Sequence, residues 1–212
     1  RDWLEAGLRA LNEQPGVSLL GGRVEVFGRS RSAAANYDRM LAFQQEASVR
    51  NGRYSVTANL FTYRRIFEEV GDFDPGRRSG GDRQWCHVAQ RHGHRLVYAD
   101  QVVVQHPARE RLSEILYKSR RVASGSYDTA CERYQGQPIL LWLYLAAAFR
   151  PRVREWFWIL SGRLGRPDAV RRRDRWGVMI VRALMQYTVA ATMLIEHRRR
   201  YRGAPDPQTL AR

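Results

Sequence analysis

At 212 residues the chain has room for one good-sized domain, or for a small one with an appendage. Hydrophobic residues at 44% and aromatics at 11% supply a core and exclude wholesale disorder. The net charge of +15 is uneven: residues 1–138 carry 21 Lys+Arg against 16 Asp+Glu, whereas 139–212 carry 15 against 5.

Asp2 to Gln14 reads as a helix, with Trp3 or Leu4, Leu8 and Leu11 at helical spacing and Pro15-Gly16 as its stop. No signal pattern opens the chain at Arg1, and it is expected to begin inside a domain. Val17 to Phe27 reads as a strand, with Gly21-Gly22 marking a bulge or a close backbone approach. The composition of Ala33 to Arg50 predicts one helix with Tyr37, Met40, Leu41 and Ala47 on its buried face. Thr57 to Phe61 is a short extended link, and Thr62 is placed to cap a helix that runs to Val70 and stops at Gly71. Asp72 to Gly81 is a loop rich in Gly, Asp and Arg. Asp82 opens a further helix that ends at Gly93, and Arg95 to Gln105 gives one or two strands ending in Val102-Val103-Val104. Leu112 to Ala123 is a helix carrying Lys118, Arg120 and Arg121.

The composition shifts near Gln135 to Pro138, dividing the chain into residues 1–135 and a basic helical tail, 136–212. Apolar runs follow at Ile139–Phe149, Trp156–Leu160 and Trp176–Ile195. The last has 20 residues, enough to cross a bilayer, but Arg182 is costly at its centre and Gln186 shares its face one turn on. A helix lying in the membrane interface, polar stripe outward, is therefore expected. Arg171-Arg172-Arg173 and Arg198-Arg199-Arg200 would sit among anionic headgroups. A helical hairpin packed on the main domain is the competing reading. Cys86 and Cys131 are too few for a disulfide framework, no C-x-x-C pair offers zinc, and a reducing cytosolic side is the default compartment.

The residues suited to chemistry lie between Val56 and His106, in VTANLFTYRRIFEEVGDFDP, GGDRQW and GHRLVYADQVVVQH. Loops between regular elements are where a fold mounts its chemistry. Asp82 stands at a helix start, where Asp is also a preferred N-cap; the two roles are compatible, because a capped carboxylate is held still. Gly80-Gly81 lets backbone approach a substrate closely. His106 ends a buried-looking strand, and ligands of open α/β sheets gather at such ends. A neutral imidazole there suits Mn2+ and is tolerable in an oxygen-rich Mg2+ site, or else hydrogen-bonds a loop. Asn59 can bridge backbone and substrate hydroxyls, or simply shape a turn. Arg64 and Arg65 cannot both face inward on one turn; one could pair with Asp72 or Asp74 and the other meet phosphate. Arg109, Arg111, Lys118, Arg120 and Arg121 form either a solvated face or a clamp for a diphosphate or a phosphorylated lipid. His87, His92 and His94 read as packing or surface groups.

In order, Asn59 ahead of Arg64-Arg65, Val70-Gly71-Asp72-Phe73-Asp74, the loop ending in Asp82, Gly93-His94-Arg95 and the late His106 resemble the acceptor half of family-2 glycosyltransferases. The likeness covers roughly Asp2 to Gly125. The resemblance implies an α/β fold, a GT-A-like (Rossmann-like) partial domain with a mixed sheet and helices, followed by the α-helical appendage. It also implies inverting, metal-dependent transfer of a sugar from a nucleotide-sugar donor to an acceptor hydroxyl, in cell-surface glycan or polysaccharide synthesis. Asp82 would be the base and His106 a ligand to Mn2+ or Mg2+. Asn59, Arg65, Gly80, Gly81 and Arg83 would contact the acceptor, and Arg109 and Arg121 the donor diphosphate. Gly81 departs from the family, which often has Glu or Asp there, so an auxiliary carboxylate is missing. SRRVASG stands in place of the Q-x-x-R-W motif of processive synthases, which points to single addition. The family's nucleotide-binding βαβ units and metal-binding D-x-D motif lie upstream of the segment matching Asp2-Trp3-Leu4-Glu5. The chain is therefore expected to lack much of the donor site.

The expected partners are a nucleotide-sugar donor, a glycan or lipid-linked acceptor, and the anionic cytoplasmic side of the cell membrane, bound peripherally. The alternative, from a different class, is a non-catalytic membrane-docking or scaffold module derived from such an enzyme. Nucleic acid is set aside as a partner: the basic residues border apolar helices instead of punctuating aromatic platforms, and no helix-turn-helix, zinc-finger or RNP-like pattern accompanies them.

Overall fold

The computed structural model describes residues 2–201. Helix α1 (Asp2–Asn12) leads into β1 (Val17–Phe27), the middle strand of a three-stranded sheet. β2 (Leu60–Thr62) pairs with β1 antiparallel and β3 (Arg95–Pro107) pairs with it parallel. Successive side chains of a strand point to opposite faces, so Leu19 and Leu20 serve two cores. Leu20 meets Leu11, Phe61 and Val102 beneath α1. Leu19 meets Ile66, Trp85 and Ala89 beneath α4 (Arg64–Val70) and α5 (Gly81–Arg91). The sheet is thereby covered on both faces, the arrangement an α/β layer needs.

The expected interruption at Gly21-Gly22 is present. The β1–β3 register slips between Gly22 and Arg23, leaving Asp100, Gln101 and Val102 of β3 without opposite numbers. A β-carbon at Gly22 would collide with the Asn59 amide and the Val102 carbonyl, so the close approach needs glycine.

The single helix expected over Ala33 to Arg50 is two, α2 (Ala33–Leu41) and α3 (Gln45–Gly52). Phe43 stands between them in the left-handed conformation, φ 49°. Met40 faces inward as expected, whereas Ala47 faces solvent and Val49 fills the inner side of α3. Thr62 does not cap α4; its hydroxyl donates to the Ser18 carbonyl (2.9 Å), and Tyr63 holds the N-cap position with no side-chain bond. Gly71 ends α4 as expected, at φ 86°. α6 (Leu112–Arg133) runs well beyond Ala123, because Tyr127 and Ala130 continue the buried stripe begun by Ile115 and Ser119.

Beyond α6 come α7 (Pro138–Ala147), α8 (Val153–Ser161) and α9 (Arg175–Tyr201). α9 packs along α6 and α2. Met40 shares a core with Ile159 and Val178, and Ala34 shares one with Ile115 and Val181. The helices after residue 136 are thus packed into the rest of the chain. The end of the expected tail, 202–212, lies outside the described residues.

The polar stripe of α9 faces the protein, not outward. Arg182 donates to both oxygens of Glu155 on α8 (2.7 and 3.0 Å), and buried Gln186 donates to the Arg150 carbonyl (2.6 Å). Partners supplied by α8 and its approach hold the Arg182 guanidinium and the Gln186 amide nitrogen internally, which turns the apolar side of α9 toward the outside.

Candidate functional site

α5 turns into β3 through Gly93, so it runs back against that strand, and β3 is parallel to β1. The loop before α5 and the end of β3 are bridged by α6: Arg121 reaches the Arg78 carbonyl ahead of Asp82, and Lys118 lies over Phe43, which packs on His106. Asp82 and His106 come from separate elements on either side of it.

Gly80, in the left-handed conformation (φ 81°), is the N-cap, and the helix starts at Gly81. Asp82 is consequently a first-turn residue and not the cap. Its Oδ1 accepts the Arg83 amide at 2.8 Å, and Oδ2 makes no hydrogen bond among the described residues. A β-carbon at Gly81 would meet open space. Arg83 lies over the Tyr54 ring, 4.4 Å from its centre, and donates to the Tyr54 hydroxyl (3.1 Å). One turn behind Asp82, burial and then the Asp82 charge push the Cys86 thiol up to about 11.

The loop before Asp82 is pinned by the helical layer. Arg78 donates to both oxygens of Asp128 on α6 (3.1 Å each) and to Glu196 on α9 (3.2 Å). Burial works against the Arg78 charge, but the two carboxylates outweigh it and hold its pKa above the ordinary arginine value. Arg121 donates to the Arg78 carbonyl (3.2 Å), and Arg77 reaches Glu132 (2.8 Å). A β-carbon at Gly125 would strike the Ser79 backbone, so α6 presses directly on this loop.

On the other side of the site, His106 Nδ1 lies 2.7 Å from the Pro107 carbonyl, which makes Nδ1 the N–H and leaves Nε2 as an acceptor. The imidazole packs on Phe43, ring centres 4.6 Å apart, and Lys118 Nζ lies 5.0 Å from the same ring. Left-handed backbone costs a non-glycine residue about 1–2 kcal/mol. Arg166 props it, donating to the Phe43 carbonyl at 2.8 Å. Strain held in place beside candidate groups points to a working position. Burial first, then the Arg109 guanidinium, lower the Lys118 pKa; the Asp38 carboxylate works against them and Arg121 adds to them. Lys118 lies one turn from Arg121 on α6.

Several expected residues have other tasks. Asn59 is fully buried: its Nδ2 donates to the Arg23 and Val102 carbonyls (2.8 and 2.9 Å) and its Oδ1 accepts from Trp3 (3.0 Å). It braces the bulge and has no surface to offer an acceptor. Arg65 lies exposed over Tyr63, 4.6 Å from the ring centre, and Arg64 pairs with Glu68 at 3.0 Å. Neither meets Asp72 or Asp74, and because β2 runs opposite to β1, α4 begins beside the start of β1. Arg109 is held by Asp38, a carboxylate only 1% exposed, which takes its amide (2.9 Å) and its guanidinium (3.1 Å). The guanidinium expected on a diphosphate is thus already paired. Asp72-Phe73-Asp74 has the D-x-D spacing, but Phe73 packs on Phe67 and Trp85 while Asp74 accepts from Gly76 and pairs with Arg77. That pair shapes a turn. His87 meets the Gly52 carbonyl and His94 lies beside Glu69, both packing roles.

Among the described residues no group of three or more His, Cys, Asp or Glu gathers where it could hold an ion. His106, beside an aromatic ring and a lysine, does not make a divalent site with them. A cleft of about 660 Å³ lined by Arg50, Arg53, Gln90 and Arg95 lies at the start of β3, away from Asp82 and His106. Lys118, Phe43 and Arg78 are the site residues with the weakest sequence signal. Lys118 belonged to an ordinary basic run, Arg78 to a loop rich in arginine, and Phe43 to an expected helix.

No family model matches the chain. It is similar to glycosyltransferase AglE of Haloferax volcanii, 31% identical over 187 residues, which are 87% of this chain and 57% of that protein. The chain thus spans little more than half the length of this curated relative.

Proposed function

We propose that this chain is the acceptor-side part of a glycosyltransferase of the family-2 type, moving a sugar from a nucleotide-sugar donor to an acceptor hydroxyl. The observation that carries the reading is Asp82: one carboxylate oxygen is fixed by the Arg83 amide, the other is open, and the loop before it is pinned by Arg78. The similarity to a glycosyltransferase over 87% of the chain supports it.

In this reading the acceptor hydroxyl donates to Asp82 Oδ2. Its oxygen attacks the anomeric carbon from the face opposite the diphosphate while the proton passes to the carboxylate. The new carbon–oxygen bond forms as the bond to the diphosphate oxygen breaks, that electron pair leaves with the nucleoside diphosphate, and the configuration inverts. A positioned base of this kind contributes about 10²–10⁴-fold. Lys118 and Arg121 are the cations assigned to the charge that develops on the leaving group. Of the described residues, only His106 Nε2 could be offered to the divalent ion that the resemblance implies, and the groups around it do not complete a site. No step is routed through it.

The test is release of nucleoside diphosphate from a panel of sugar nucleotides by the gene-complete protein, wild type beside Asp82→Asn. Turnover reduced by about 10²–10⁴-fold in the variant, with unchanged circular dichroism, is the expected result. Loss on chelation and recovery with Mn2+ or Mg2+ would support the ion. Equal or absent turnover in both proteins would favour the alternative, a non-catalytic docking or scaffold module, with Asp82 left as a helix-terminal carboxylate.

A further inference from the structure

Of the ten residues of α7, PILLWLYLAA, only Leu141 and Leu145 are buried. Ile139, Leu140, Trp142 and Leu143 are 43–73% exposed. One side of α9 also exposes apolar side chains, at Trp176, Ile180, Leu184, Tyr187 and Ile195. At about 100° per residue these five lie opposite Val178, Arg182 and Gln186, the side that packs inward. A soluble monomer seldom leaves more than a few hundred Å² of contiguous apolar surface bare. Some other phase or molecule covers this one.

Charge identifies the occupant. Exposed arginines border the apolar side chains: Arg150, Arg152 and Arg154 between α7 and α8, Arg171 to Arg173 before α9, and Arg198 to Arg200 at its end. Among the described residues from 138 onward, Asp168 is the one exposed acid. A second copy of the chain would bring these cations against each other, which like-charge repulsion opposes. An anionic headgroup layer attracts them, and the exposed indoles and phenol of Trp142, Trp176 and Tyr187 suit the same boundary. α9 is long and apolar enough to cross a bilayer by length and composition alone. Its inner side, however, is part of the chain's own core and is tied to Glu155 and Arg150. The helix thus lies along the surface.

We propose that the exposed face of α7 and the outer side of α9 form an interfacial docking surface for an anionic bilayer. The apolar side chains enter the acyl boundary by about 5–10 Å and the arginine clusters sit among the phosphates.

The test is partitioning of the purified full chain onto vesicles of phosphatidylcholine with and without phosphatidylglycerol, followed by sedimentation. Binding to the anionic vesicles, weakening as salt is raised, is expected. Leu143→Ser with Ile180→Ser lowers partitioning by about tenfold or more. Neutralising Arg171, Arg172 and Arg173 together as glutamine lowers it by about a hundredfold on anionic vesicles only. All five side chains are at the surface, and circular dichroism checks that each variant folds. No vesicle binding, binding indifferent to both sets of variants, or a dimer in light scattering that the serine variant dissolves would each overturn the proposal. The assay reads no turnover, so its outcome is independent of the transferase reading.

Discussion

Gly80 and Gly81 are neighbours with opposite tolerance for a side chain. Gly80 holds φ 81° at the N-cap, so Gly80→Ala forces an L-residue into the left-handed region, at about 1–2 kcal/mol. Gly81 faces open space at the first helical position. Gly81→Glu adds a better helix former and a negative charge at the positive end of the helix dipole, raising stability by about 1 kcal/mol. Urea midpoints of the two variants should move in opposite directions. Cys86 allows a pH test. Its thiol, ordinarily near 9, is pushed up to about 11, first by burial, so the native state keeps a proton that the unfolded chain loses. That contribution is full below pH 9 and lost as pH rises through about 11. Across that window it declines by about 1.4 kcal/mol per pH unit. Replacing Cys86 with Ala should flatten the fall in unfolding free energy between those pH values.

At the scale of elements, α6 is the beam between the two sides of the site. Its first turns carry Lys118 beside Phe43 and His106, and its middle carries Arg121, Gly125 and Asp128 against the loop that leads to Asp82. Arg78→Ala would leave Asp128 and Glu196 facing one another without their cation, a loss of about 1–3 kcal/mol at this partly exposed position. Hydrogen exchange should quicken in residues 72–82 while β1 keeps its protection. Arg78→Lys restores the charge but not the fork to two carboxylates, and should recover only part of the protection.

At the scale of the whole molecule, the helices after residue 136 complete cores that earlier elements begin. Ala34, Met40, Ile115, Ala123 and Tyr127 are all buried in part by residues of α7 to α9. A chain ended at residue 135 would expose them together, and we expect it to lose the cooperative urea transition of the full chain. The α/β layers would then keep two of their cores, those on either side of β1, but lose the Glu196 half of the brace at Arg78. If the shortened chain unfolds cooperatively at an unchanged midpoint, the tail is an appendage after all.

What the amino-acid order determined unaided is what short-range geometry controls. The stop at Gly71, the break at Gly21-Gly22 and the start of a helix beside Asp82 follow from glycine's backbone freedom and from hydrophobic spacing within a few residues, although the cap itself is Gly80 and not Asp82. Where a side chain points depends on a partner far along the chain, and that only the tertiary structure decided. No Gly or Pro announces the break at Phe43; Arg166, 123 residues later, holds it. Arg109 looked free until Asp38, 71 residues earlier, came within reach. Arg182 and Gln186 looked like an outward stripe until Glu155 and the Arg150 carbonyl turned them inward. A polar group leaves water only where a partner replaces it, so its direction is set by the packing that brings that partner near.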